Sequence, residues 1–223
     1  LTLEADTDVM SEEEAGKFAS LYVNELREMT EWLMQQTENE VTASDLGENQ
    51  WSDEIFEGIY HGFQKRGVTI QRIYPLSPMQ EGILLYYILN QDSLAYRLVT
   101  TYSFDILPTE EQLRYALDRL GAKHEVLRTS IIYKGVEDDR QAIVDRPLGL
   151  EMRDVSGEED MEKAVREIHL AEQKRGFDLQ KDSLFRITCV KTSDSTCKLI
   201  LSVHHIIVDG WCIELFTSDL LRY

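Results

Sequence analysis

His204-His205-Ile206-Ile207-Val208-Asp209-Gly210 closes one apolar run, Lys198-Leu199-Ile200-Leu201-Ser202-Val203, and opens another in which Ile213, Leu215, Phe216, Leu220 and Leu221 recur at helical spacing. The run before it reads as a buried strand and the run after it as a helix, so these residues occupy a strand-to-helix turn. Such turns often carry chemistry, because a rigid scaffold holds their side chains in place. A strand sends successive side chains to opposite faces, so His204 and His205 point apart and at most one looks into a given cleft. A neutral imidazole such as His205 can accept a proton from, or hydrogen-bond to, an attacking amine or hydroxyl. Asp209, beside Gly210 at the turn, suits bonding to backbone N–H groups or to an arginine, which favours a structural role. Gly210 has no Cβ and permits close approach. For an isolated His-His pair the plainer reading is a core histidine, a surface histidine and a helix cap.

Upstream, residues 184–191 and 198–203 read as two strands joined by the polar turn 192–196. Ser156 and Glu159 are placed to cap a helix running through Met161, Val165 and Ile168 to about Lys174, closed by Gly176. Ser130 to Tyr133 form a strand that Gln141 to Val144 can pair with. Thr109 and Gln112 start a helix with Leu113, Ala116, Leu117 and Leu120 on one face and Gly121 at its end. Tyr96, Leu98, Thr100, Tyr102 and Phe104 alternate as a half-buried strand. Ser77 as N-cap, Pro78 at the first position and Gln80 completing a capping box predict a helix to about Asn90 that buries Met79, Ile83, Tyr86 or Tyr87, and Leu89.

The first third is less structured in its pattern. Residues 2–5 read as a short strand, and Ser11 with Glu14 caps a helix whose stripe is Phe18, Leu21, Leu26, Met29 and Leu33. Residues 37–50 lose that period and read as a connection, before Ser52 caps a helix carrying Ile55, Ile59 and Phe63 and ending near Gly67. Strands and helices alternate irregularly with one hairpin, which predicts an α/β fold, a two-layer sandwich in which helices cover a mixed sheet.

The chain has 223 residues and is 43% hydrophobic, enough for a packed core. Its net charge of −18 argues against nucleic acid and anionic membranes as partners, since both call for basic patches. Three cysteines, Cys189, Cys197 and Cys212, show no CxxC spacing and read as core residues of a reduced, cytoplasmic protein. No metal site is expected, because opposed faces leave only His205 and Asp209 as ligands, and His61, His124 and His169 lack ligand spacing. No G-x-S-x-G elbow is present, and Cys212 lies in an apolar helical run, so a Ser or Cys nucleophile has little support. Leu1 is not a methionine and Tyr223 ends inside an apolar segment, so both ends read as cuts through a longer polypeptide.

Residues 204–210 match the HHxxxDG pattern of the condensation domains of nonribosomal peptide synthetases, which have a chloramphenicol acetyltransferase-like fold. Ser77-Pro78-Met79-Gln80-Glu81-Gly82 resembles the first motif of that family, and His124-Glu125-Val126-Leu127-Arg128-Thr129 its second, with Lys123 where the family often has arginine. Epimerization domains share HHxxxDG, but Trp211 and Cys212 directly after Gly210 are similar to the condensation type. The resemblance implies three parts: residues 1–50 as the tail of a preceding epimerization-like domain, 51–72 as a linker helix, and 73–223 as the N-terminal lobe of a condensation domain whose C-terminal lobe is absent.

It further implies amide-bond formation between a donor and an acceptor thioester on carrier proteins. His205 stands at the reacting amine, His204 and Asp209 act as supports with Asp209 paired to Arg128, and Gly210 and Trp211 lie on the substrate side. No cofactor is bound by the domain itself, since substrates arrive on the phosphopantetheine arms of upstream and downstream carrier domains, beside adenylation and epimerization neighbours. Alone, the chain is expected to have little or no condensation activity. An acyltransferase of the same superfamily using acyl-CoA and a non-catalytic docking module are the alternatives.

Overall fold

The hairpin expected at the end of the chain lies at the centre of the larger sheet. In the computed structural model, which describes residues 4, 6, 9–35, 41–91 and 93–223, it comprises β6 (Phe185–Lys191) and β7 (Cys197–His204). With β2 (Arg97–Phe104) and β5 (Gly149–Asp154) they form a four-stranded sheet in the order β2-β7-β6-β5. The sheet is mixed: β2–β7 and β6–β7 are antiparallel, while β5 runs parallel to β6. β6 and β7 are buried on both faces, which is why they read as continuous apolar runs rather than alternating ones.

A second, antiparallel sheet has the order β1-β4-β3, from β1 (Ile70–Pro75), β4 (Arg140–Val144) and β3 (Thr129–Ile132). The α/β class and the mixed sheet are as expected, but the strands divide between two sheets, and β1, an edge of the smaller one, is a strand that the sequence pattern did not show. The helices of this part are α2 (Asp53–Gln64), α3 (Pro78–Leu89), α4 (Glu110–Lys123), α5 (Met161–Arg175) and α6 (Gly210–Leu220). The core joins Leu117 and Leu120 of α4 to Leu127, Ile131, Leu184, Phe185 and Ile187.

Capping chemistry places several helices as read. Ser77 and Thr109 each form complete capping boxes with Gln80 and Gln112, and Ser52 caps α2. The predicted face of α4 is buried throughout, yet Gly121 lies inside the helix, where an added Cβ would contact Leu148 and Arg128. Its role is packing, and α4 continues to Lys123. α5 departs from expectation at its start: Asp160, not Ser156, accepts the Lys163 N–H, while Ser156 is turned back onto the Asp154 carboxylate. α3 buries Ile83 and Leu84 but leaves Met79 and Leu89 exposed. This helix is apolar nearly all round, so spacing alone does not select a face.

α5 ends at Gly176 with φ 63° and ψ −153°, a backbone region essentially restricted to glycine. A Cβ there would also fall 2.6 Å from Cζ of Arg97, whose guanidinium holds the carbonyls of Gln173 and Lys174. Gly176→Ala is therefore expected to lower stability by about 1–3 kcal/mol, or more if Arg97 is displaced, measured by urea unfolding.

By backbone contacts the chain divides into two units, Leu1–Val41 and Thr42–Tyr223. The first contains α1 (Glu12–Gln35), started by the Ser11–Glu14 capping box and with no buried residue, so its stripe of Phe18, Leu21, Met29 and Leu33 faces outward. The strand expected at residues 2–5 lies largely outside the described residues. In the second unit, a 3-10 turn at Ser44–Leu46 precedes the buried Glu48, which is ion-paired with Arg140 of β4 at 2.6 Å.

Candidate functional site

β7 lies between β2 and β6, and its last residue, His204, is 2% exposed. The rings of Tyr87 and Phe177 meet the imidazole edge-on at 6.2 and 5.9 Å, and its Nδ1 accepts the Ile206 N–H at 3.2 Å. Burial pushes the His204 pKa down to about 4, and the nearby Arg97 and His205 add to this. His204 is thus a neutral core residue that fixes the turn after the strand.

That depressed pKa links stability to pH. Below the ordinary 6.5 an unfolded chain protonates this imidazole while the folded one resists until about 4, so stability is present in full above 6.5 and lost as the pH falls through that window. In full the loss is roughly 3 kcal/mol. His204→Asn keeps an acceptor near Nδ1, and its unfolding free energy is expected to fall less steeply across the same window.

His205 follows the end of β7 and is partly exposed. Its backbone N–H donates to the Tyr96 carbonyl at 2.8 Å. Tyr96, with φ 62°, is the one non-glycine residue at positive φ among those described, a strained backbone hydrogen-bonded to the backbone of His205. Nδ1 of His205 lies 3.1 Å from the Val208 carbonyl. A carbonyl only accepts, so Nδ1 is the donor in this contact, and in the neutral ring Nε2 keeps its lone pair. The two histidines take different environments, one walled into the core and the other partly exposed, but His205 lies in the turn just past the strand, so strand alternation is not what separates them.

Asp209 is the N-cap of α6; its Oδ1 accepts the Cys212 N–H at 3.0 Å, and bonding from the Cys212 side chain, with that from its backbone N–H, holds the carboxyl below its ordinary range. It is not paired with Arg128. The Arg128 guanidinium donates instead to the carbonyls of Gly121 and Val144 and to Gln71 Oε1, tying α4 to β4. No ion pair among the described residues joins Arg128 to Asp209. Gly210 opens α6, and an added Cβ there would meet nothing within 4 Å. Trp211 is 86% exposed. Both stand on the outer side of the first turn of α6, unpacked by the chain itself.

Contacts that sequence spacing did not disclose join the motifs. Gln80 Nε2 of the first motif donates to the Ile206 carbonyl at 3.0 Å, inside the histidine turn. His124 Nε2 of the second lies 2.6 Å from the carboxylate of Asp219 in α6, and Lys123 Nζ reaches the same group at 2.7 Å. The bond from Lys123, with that from His124, holds the Asp219 carboxyl below its ordinary range. Asp219 is only 3% exposed. A carboxylate within the apolar spacing of Ile213, Phe216 and Leu220 was the available signal, since buried carboxylates need partners.

Among the described residues no group of three His, Cys, Asp or Glu is placed to hold a metal ion. Cys189 and Cys197 are buried, and burial pushes the Cys189 thiol up to about 12, which leaves it unreactive. No helix of the described residues is long and apolar enough to cross a membrane.

Known proteins are similar to this chain. Bacitracin synthase 3 of Bacillus licheniformis is 32% identical over 198 residues, covering 87% of this chain and 3% of that protein. Gramicidin S synthase 2 of Brevibacillus brevis is 31% identical over 156 residues, 69% of this chain and 4% of that one. The chain therefore spans less than a tenth of the length of these curated relatives. Among solved structures, the starter condensation domain of rhizomide synthetase superposes with a TM-score of 0.63 at 22% identity, over 66% of this chain and 37% of that one. A four-domain nonribosomal peptide synthetase superposes with a TM-score of 0.62, at 21% identity over 70% of this chain and 12% of that one. The fold is the chloramphenicol acetyltransferase-like one. The Condensation domain model matches residues 70–223, which include β1, all three motifs and both sheets, and the chain belongs to the condensation domain family.

Proposed function

We propose that this chain supplies the histidine-bearing lobe of a catalytic domain that forms an amide between two carrier-tethered thioesters. The observation that carries this reading is the placement of His205: Nδ1 faces the Val208 carbonyl, which leaves Nε2 of the neutral ring as an acceptor just past the end of β7, on a partly exposed residue. In the reaction the acceptor's α-amine attacks the donor carbonyl, a C–N bond forms and the C–S bond breaks, and the amine proton passes finally to the departing thiolate. His205 Nε2 hydrogen-bonds the amine and takes its proton as the positive charge develops. His204 and Asp209 hold the turn, and Gly210 and Trp211 offer the exposed surface along which substrates lie.

Substrates arrive on the phosphopantetheine arms of upstream and downstream carrier domains, within a multidomain synthetase that also has adenylation domains. We read residues 1–50 as the tail of a preceding epimerization-like domain, 51–72 as a linker helix and 73–223 as the first lobe, completed by a second lobe of the same synthetase. The free cysteines support a reducing, cytoplasmic setting.

The test is a module containing this chain, supplied with both loaded carriers, with the amide detected by mass spectrometry. Product from carrier-bound substrates that is lost on replacing His205 sustains the reading. Turnover of acyl-CoA with a free amine in place of carriers would make the domain a soluble acyltransferase, and carrier binding with no turnover would make it a docking module.

A further inference from the structure

We propose that Gln80 and Gln141 form a clamp that sets the position of the His205 ring, which makes Gln141 a positioning residue; this rests on the amide-forming role given to His205. The two side-chain amides face each other. Gln80 Nε2 donates to Gln141 Oε1 at 3.0 Å, and Gln141 Nε2 donates back to Gln80 Oε1 at 3.1 Å. The remaining N–H of Gln80 goes to the Ile206 carbonyl at 3.0 Å, and that of Gln141 to the Pro75 carbonyl at 3.1 Å. Gln80 Oε1 also accepts the Ser77 N–H at 2.9 Å. Neither amide can be turned over without setting an oxygen against a carbonyl or an N–H against an N–H, so the pair has one orientation.

Ile206 is the residue after His205, and its carbonyl lies in the turn whose Val208 carbonyl orients the imidazole. Gln141 belongs to β4, in the smaller sheet, paired with Tyr74 of β1 and Ile131 of β3. The clamp therefore ties the smaller sheet and the start of α3 to the turn leaving the larger one. Without it the Ile206 carbonyl loses its side-chain donor, and the turn is free to rotate the groups that fix the ring. A displacement of about 1 Å at a reacting group can cost on the order of a hundredfold in rate.

A pair that served only to cap α3 would alter stability and leave His205 as it is. The test uses Gln141→Leu and Gln141→Glu. Glutamate keeps the size and an acceptor for Gln80 but removes both donated bonds, to the Pro75 carbonyl and to Gln80 Oε1, and it decides the matter should the leucine variant fail to fold. Two readouts are taken: kcat and KM for the acceptor thioester in the synthetase module, and the ¹⁵N imidazole resonances of His205 in the 223-residue chain. The expected result is a kcat lower by roughly ten- to a hundredfold with KM within about twofold, and a native Nδ1–H tautomer that becomes a mixture in both variants. Native kcat, or unchanged His205 resonances accompanied only by a lower melting temperature, would overturn the clamp. The resonances do not depend on turnover: a ring that shifts in variants of a module whose amide synthesis survives loss of His205 refutes the catalytic role and keeps the clamp.

Discussion

Replacing His205 by alanine in a synthetase module is expected to slow amide formation by roughly a hundred- to ten-thousandfold, the range over which a positioned acid–base group contributes. The geometry makes the loss specific. The ring is held through Nδ1 on the Val208 carbonyl and through its backbone N–H on the Tyr96 carbonyl. Alanine retains the second contact and loses only the imidazole. As His205 is partly exposed and gives up one side-chain hydrogen bond, the protein should lose about 0.5–1.5 kcal/mol and stay folded. Single-turnover assays with both carriers loaded separate this from a defect in substrate delivery. A rate within threefold or so of native would mean that holding the two thioesters together supplies most of the acceleration, and would remove His205 from the chemistry.

Glu172→Leu is expected to cost about 3–5 kcal/mol of stability, as when one partner of a buried ion pair is removed. Glu172 and Arg186 are 7% and 6% exposed. Arg186 Nη2 lies 3.1 Å from Glu172 Oε2, Nε lies 3.3 Å from it, and the Gly176 carbonyl takes further N–H bonds at 3.1 Å. Burial pushes the Arg186 guanidinium below its ordinary range, and the Glu172 carboxylate opposes that. Leucine at 172 leaves the guanidinium buried with only a neutral carbonyl acceptor. In the double variant Glu172→Leu/Arg186→Leu both charges are gone, so it should recover much of the loss, short of full recovery because Arg186 also stacks on Phe177 at 4.1 Å. Denaturant unfolding at constant pH measures both. A single variant no less stable than the double would mean that the pair is solvated in practice.

How much of this was legible in sequence depended on whether a local rule decided the position. Ser52, Ser77 and Thr109 were readable as caps because capping is settled within four residues, and β6 and β7 because a doubly covered strand is apolar throughout. β1 was not readable: a register shift between Ile70 and Arg72 spaces its buried residues three apart and destroys the alternation. β5 hid for another reason, as an edge strand pairing on one side with no fully buried residue. At the site, the separate environments of His204 and His205 were expected from strand alternation, yet β7 ends at His204 and the turn places His205. The pairing of Asp219 with His124, and the meeting of Gln80 with Gln141 and Ile206, depend on contacts 61 to 126 positions apart, which no local pattern encodes.

The ties between motifs also set rules for recombining such domains by segment exchange. A crossover between residues 141 and 204 separates Gln80 from Ile206 and His124 from Asp219, but the two separations are not equivalent. Gln80 binds a backbone carbonyl, which any parent sequence supplies at that point of the turn. His124 and Lys123 bind a side chain, so the incoming segment must bring a carboxylate at position 219 or leave two basic groups facing an unmatched helix. Chimeras of this fold should therefore be sorted first by the residue they inherit near the end of α6, ahead of their overall sequence identity.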